Sequence, residues 1–205
     1  MTESMPPRLT SLSHVRPAAW LPAAFFILLV MLSARALAQS VEDLAASCAG
    51  CHGEDGIPQQ ANMPVIWGQQ QGYLYLQLRD FKSGARKDDV MSSIAEALER
   101  SDMQALALYF SQKPWPRLPQ PPAPPDVAAR ALRAINSIVC TSCHQANFVG
   151  DSTQPRLAGQ RQDYLEKSML DFRNRNRGNN PGMTDLMLAI SAQDIADSAA
   201  YLAGF

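Results

Sequence analysis

The chain has 205 residues, with 18 basic and 19 acidic side chains, a formal net charge of −1 and 46% hydrophobic residues. This ordinary composition excludes an intrinsically disordered chain and a polytopic membrane protein, and the length allows one large domain or two small ones. Without a basic excess there is no electrostatic basis for nucleic-acid binding.

The chain opens with Arg8 and Arg16, an apolar run from Ala18 to Leu32, and then Ala36-Leu37-Ala38. A basic segment, an apolar segment and an A-x-A site in that order predict a secretory signal cleaved after Ala38, with the mature chain starting at Gln39. The competing reading is a retained anchor. The run is shorter than the roughly 20 apolar residues that span a bilayer, and Pro22 and Arg35 trim it further. Removing residues 1–38 leaves 15 basic and 18 acidic residues and takes His14 away, so only His52 and His144 remain among the histidines.

Ser40 with Asp43 predicts a capping box that leads into Ala- and Leu-rich turns ending at Cys48. Tyr73 to Phe81 carries apolar residues at helical spacing. Ser101 with Gln104 suits the start of a closing helix through Tyr109. Residues 113–125 hold seven prolines, which cannot form helix or central strand and favour an extended, semi-rigid spacer. Asp126 is placed to cap a helix from Val127 onwards, Tyr164 to Phe172 repeats the helical spacing, and Ser191 with Asp194 opens a last helix through Tyr201. No stretch alternates as a strand would. The expected fold class is all-α.

The expected helices recur because the sequence recurs. Cys48-Ala49-Gly50-Cys51-His52 returns as Cys140-Thr141-Ser142-Cys143-His144, 92 positions on. Pro64-Val65-Ile66-Trp67-Gly68-Gln69 parallels Pro155-Arg156-Leu157-Ala158-Gly159-Gln160 at 91, as Tyr73 and Asp80-Phe81 parallel Tyr164 and Asp171-Phe172. The displacement returns to 92 for Met91 with Met183 and for Tyr109 with Tyr201. This is a duplicated domain, 39–112 and 126–205, on either side of the linker 113–125. A unit of roughly 75 to 80 residues is small for a self-sufficient core and calls for an internal staple.

Every cysteine and every remaining histidine falls in one of the two C-x-x-C-H segments. On a helical turn, residues i and i+3 share a face, so Cys48 and Cys51 can reach two vinyl groups on one porphyrin edge, with His52 beneath the iron. Cys140, Cys143 and His144 repeat the arrangement, and C-x-x-C-H is the attachment signature of c-type haem. Zinc fits less well, because structural zinc closes with four ligands and a histidine adjoining the cysteine is poorly placed. A redox C-x-x-C would need a βαβ context, and a disulfide from i to i+3 closes too short a loop to stabilise much.

No third histidine is available as a sixth ligand. Methionines stand at 63, 91, 103, 169, 183 and 187 in the mature chain. Met91 follows His52 by 39 residues and Met183 follows His144 by 39, a separation that no other methionine pair keeps. Met187 ranks second, since its counterpart is Ala95. His/Met ligation closes both axial positions and raises the potential, which suits electron transfer better than oxygen chemistry. Pro64 and Pro155 are candidates to accept the other imidazole N–H through their carbonyls; their alternative role is loop rigidity.

These residues resemble a known family. Tandem class I c-type domains, each with C-x-x-C-H, a Pro-x-x-x-Gly-Gln segment and a methionine before a final helix, are similar to the two-haem cytochromes of the cytochrome c-four (c4) family. The resemblance covers nearly all the mature chain. It implies a periplasmic electron shuttle, soluble or membrane-associated, whose two covalently bound haem c groups face each other across a pseudo-twofold interface. It also implies Met91 and Met183 as sixth ligands and the two prolines as histidine supports. Trp67, where alanine is usual, and the richness of the linker in proline are departures from the family.

Two functions from different classes fit: a freestanding carrier feeding a terminal oxidase or reductase, and the cytochrome subunit of a multi-subunit dehydrogenase. A two-haem peroxidase would need an open iron with acid–base groups beside it. Residues 41–112 hold five basic and ten acidic residues and 126–205 hold eight of each, a dipole able to orient encounter with redox partner proteins. Arg173, Arg175 and Arg177 form either a docking patch or a solvated loop.

Overall fold

The computed structural model describes Met1–Thr2 and Ser40–Phe205; residues 3–39, which include the apolar run of the expected signal and the expected mature terminus at Gln39, lie outside the described residues. From Ser40 the chain is one compact unit of helices, with an isolated bridge between Asp151 and Gln154 as its extended pairing among the described residues. In chain order the helices are α1 Val41–His52, α2 Gln71–Ser83, α3 Asp89–Glu96 and α4 Arg100–Ser111, then α5 Pro125–Ser137, α6 Thr141–His144, α7 Gln162–Arg173, α8 Pro181–Leu188 and α9 Ala192–Ala203.

Capping chemistry sets several boundaries. The Asp43 N–H donates to Ser40 Oγ (3.1 Å), which starts α1 where expected. The Ser191 and Asp194 box starts α9, with Asp194 N–H on Ser191 Oγ (3.1 Å) and Ser191 N–H on the Asp194 carboxylate (3.0 Å). Two starts differ from expectation. α4 begins at Arg100, not after Ser101, because Asp102 accepts the Glu99 N–H at 2.9 Å. α5 begins at Pro125, since proline's fixed φ suits a first turn that needs no N–H, and this places Asp126 inside the helix, paired with Arg130.

Each copy has its own core. Ala45, Leu74, Met103, Leu106 and Phe110 pack α1, α2 and α4 together. Ala131, Ile135, Leu165, Ala199 and Leu202 do the same for α5, α7 and α9, and Phe172, Met187 and Ile195 extend that core towards α8. The short helices α3 and α8 are anchored by equivalent cations. Lys82 donates to the carbonyls of Glu96 and Leu98, and Arg173 to those of Met187 and Ile190.

The extended, semi-rigid segment expected at 113–125 packs against both copies as a strap. Lys113 lies over the Tyr109 ring at 4.0 Å, and Arg156 of the second copy stacks on Trp115 at 4.6 Å. Gln120 donates to the Gln160 carbonyl (3.0 Å) and accepts from the Gln162 N–H (2.9 Å). Extended proline segments carry little internal hydrogen bonding, so their side chains and few free amide groups are available to both copies.

Candidate haem site

A cavity of about 620 Å³ runs through the compact unit, and all ten expected site residues line it. From the first copy come Cys48, Cys51, His52, Pro64 and Met91; from the second come Cys140, Cys143, His144, Pro155 and Met183. The cavity is continuous between the copies. Its walls are mostly apolar, with Leu74, Phe81 and Leu98 on one side and Leu165, Phe172 and Ile190 on the other.

The helix ends place the first three residues of each set. α1 carries Cys48 and Cys51 on one face and ends on His52. In the second copy the chain breaks after α5, Val139 takes φ 48°, and the single turn α6 restores the same spacing for Cys143 and His144. No disulfide joins any of the four cysteines.

Both histidines are buried, and each aims its Nδ1 at the expected proline: His52 at the Pro64 carbonyl (2.8 Å) and His144 at the Pro155 carbonyl (2.9 Å). A carbonyl oxygen only accepts, so Nδ1 carries the hydrogen and Nε2 keeps its lone pair. Burial lowers the pKa of both imidazoles, against the opposing pull of the carbonyl bonds, and so favours the neutral form that can ligate a metal.

Met91 and Met183 occupy equivalent places in the first turns of α3 and α8. The Met91 N–H donates to the capping carboxylate of Asp88 (3.0 Å), and the Met183 N–H to the Asn180 side chain (3.1 Å). Met187 also reaches the cavity wall, but it is 2% exposed and packs in the core with Phe172 and Ile195. Met103 lies in the core of the first copy.

The geometry has close parallels among known proteins. Residues 133–204 match the family model for cytochrome c. A cytochrome c4 from Azotobacter vinelandii is 32% identical over 88% of this chain and 98% of its own. The crystal structure of reduced recombinant cytochrome c4 from Pseudomonas stutzeri superposes with a TM-score of 0.71, at 30% identity, covering 82% of this chain and 99% of that one. The chain belongs to the cytochrome c4 family. A thiosulfate dehydrogenase electron acceptor from Stutzerimonas stutzeri is 35% identical over 78% of this chain and 79% of its own. As a cytochrome c4 the chain is an electron carrier with two covalently bound haem c groups and works with redox partner proteins.

The residues fit two haems on grounds beyond the motifs. Arg86 and Arg177 both line the cavity, and neither has a carboxylate at ion-pair distance among the described residues. Arg86 donates to Gln77 (2.8 Å) and Tyr164 (3.3 Å), and the buried Arg177 to Gln77 (2.8 Å), Ser168 (2.5 Å) and Tyr73 (3.3 Å). Two guanidiniums on an apolar cavity facing neutral acceptors suit a ligand that brings its own carboxylates. Burial opposes ionisation of the Tyr164 phenol, while the Arg86 and Arg177 guanidiniums beside it pull its pKa down. The buried Ser198 Oγ lines the same cavity without a hydrogen-bond partner among the described residues.

Sequence reasoning missed this cross-copy cluster. Arg177, expected in a docking patch or a solvated loop, is 6% exposed; of its two neighbours, Arg173 holds the end of α8 and Arg175 is exposed at φ 62°. The available signal was the repeat itself, since Arg177 and Arg86 stand 91 apart.

Proposed function

We propose that Cys48 and Cys51 bind one haem through thioethers with His52 and Met91 on its iron, and that Cys140, Cys143, His144 and Met183 serve the second haem in the same way. Pro64 and Pro155 hold the histidines through their carbonyls. The observation that carries this reading is the convergence of all ten residues on one cavity, with each Nδ1 already committed to a proline carbonyl. When bound, each haem supplies a one-electron couple. The chain's own task is to fix the imidazoles, supply the methionine sulfurs and keep water out with apolar side chains; with both ligands on each iron, the group would be closed to substrates and would change little between oxidation states.

On this reading residues 1–38 are the export signal, 39–112 and 126–205 are the two cytochrome domains, 113–125 is the linker, and the mature protein shuttles single electrons in the periplasm to a terminal oxidase or reductase. Among the described residues no helix is long and apolar enough to cross a membrane. Service as the cytochrome partner of a dehydrogenase is the second reading, favoured by the relative named as a thiosulfate dehydrogenase electron acceptor. Mass spectrometry of periplasmic protein should give a chain starting at Gln39 plus two haems. An unmodified chain with stoichiometric zinc would sink the site assignment. Co-purification with a dehydrogenase subunit would favour the second reading over the free shuttle.

A further inference from the structure

The Pro64 carbonyl and the Val65 N–H are two ends of one peptide group. The carbonyl accepts from His52 Nδ1 at 2.8 Å, while the N–H donates to Gln160 Oε1 at 2.8 Å. The second copy mirrors this. The Pro155 carbonyl accepts from His144 Nδ1 at 2.9 Å, and the Arg156 N–H of the same peptide donates to Gln69 Oε1 at 2.7 Å. Each glutamine belongs to one copy and grips the peptide that supports the histidine of the other.

The grip is well determined. Gln160 Nε2 also donates to the Val65 carbonyl (2.9 Å) and Gln69 Nε2 to the Arg156 carbonyl (3.0 Å), so each side chain holds its segment at two points. The orientation of the amides is forced. Gln160 Oε1 accepts a second N–H from Arg161, and Gln69 Oε1 one from Gln70, so oxygen must stand there. Both side chains are buried, at 2% and 3% exposure. The preceding glycines, Gly159 and Gly68, adopt φ 70° and 64°, which turns the glutamines outward from their own copies. Trp115 of the linker closes over both: a Cβ on Gly68 would lie 2.9 Å from its backbone nitrogen, and one on Gly159 3.2 Å from its indole nitrogen.

A hydrogen bond accepted from a peptide N–H polarises that peptide and strengthens the bond its carbonyl accepts, by roughly 10–30% per bond in chains of this kind. A stronger acceptor draws on the Nδ1 proton and makes Nε2 a more basic ligand, which favours oxidised iron and lowers the potential. We propose that Gln160 sets the potential of the first-copy haem and Gln69 that of the second-copy haem, as positioning residues that act across the domain boundary through the Val65 and Arg156 peptides. The proposal rests on His52 and His144 being the iron ligands.

The test uses the two-haem protein with Gln160→Met, Gln69→Met and Gln160→Glu. The two potentials are measured by spectroelectrochemistry, with each haem assigned from its methyl resonances in the oxidised protein. Gln160→Met should shift the oxidised-to-reduced ratio of the first-copy haem several-fold towards reduced at a fixed electrode potential, and move the Val65 amide resonance, with the second-copy haem unchanged. Gln69→Met should do the reverse. Gln160→Glu, which keeps an oxygen for the Val65 N–H, should return the first haem to the parent ratio or beyond it. A shift confined to the haem of the mutated residue's own copy, equal shifts in both haems from the methionine variants, or a displaced Val65 amide with both potentials fixed would overturn the proposal. If Gln160→Met does not fold, the other two variants decide. The parent protein's mass and low-spin spectrum test the ligand reading separately, before any glutamine is changed.

Discussion

In the first copy one unbroken helix, Val41–His52, delivers both cysteines and the histidine; in the second the same residues arrive on a single turn, Thr141–His144, after a break at Val139. The histidines nevertheless meet their prolines at 2.8 and 2.9 Å. Only the last turn of that segment is therefore under geometric demand, while the preceding helix serves the core. The copies differ more where they meet. Between Arg177 and Asn180 the second copy has one residue more than the first has between Arg86 and Asp88, and in that loop Asn179 reaches across to Gln77 (3.2 Å) and the buried Asp80 (2.8 Å). The first copy sends no equivalent side chain back from Lys87, which is exposed.

The largest test of this comparison removes one attachment site. Cys140→Ala with Cys143→Ala should lower the protein's mass by one haem and weaken the second copy, whose core residues line the cavity. Loss of both haems would instead show that the copies do not load independently. Next in size are the methionines. Met183→Ala should halve the sulfur–iron charge-transfer band and let one haem bind cyanide, Met91→Ala should do the same at the other, and Met187→Ala should leave the spectrum intact. Because Met187 is buried, that last variant should still cost about 2–5 kcal/mol in denaturant unfolding. Exchange of the Met183 and Met187 phenotypes would shift the repeat alignment in the α8 region.

A smaller effect concerns the closing helices. Ser191→Ala removes the side-chain cap of α9 and should cost about 1 kcal/mol. Its effect should be confined to the unfolding of the second copy. The smallest is an ion pair peculiar to that copy: Arg130 meets Asp197 at 2.6 Å, where the first copy has Ala105 in place of the aspartate. The Arg130 hydrogen bond holds the Asp197 carboxyl below the usual carboxylate range. Its stabilisation is therefore fully present above the ordinary aspartate pKa of about 3.9 and is lost as pH falls through the lower folded value. Asp197→Asn should be less stable than the parent at neutral pH, with a gap that closes in strong acid. A gap independent of pH would assign the effect to packing.

The haem-attachment chemistry, the duplication and most helix positions were legible in the sequence, because they rest on spacing along the chain. Two C-x-x-C-H segments 92 apart, a methionine 39 residues after each histidine, and caps such as Ser40 and Ser191 are local or periodic signals that need no tertiary contact to be read. Boundaries shifted where neighbours competed for one cap, as Asp102 did at Glu99. What only the tertiary structure decided lies at the junction of the copies. Nothing in the local chemistry of Gln69 or Gln160 says that each grips the other copy, nor that Arg177 turns inward from a basic loop, nor that Trp115 of the linker covers Gly68 and Gly159. Those contacts join residues some 40 to 100 positions apart. Their partners are selected by burial of unpaired polar groups, which acts only once the two cores have packed.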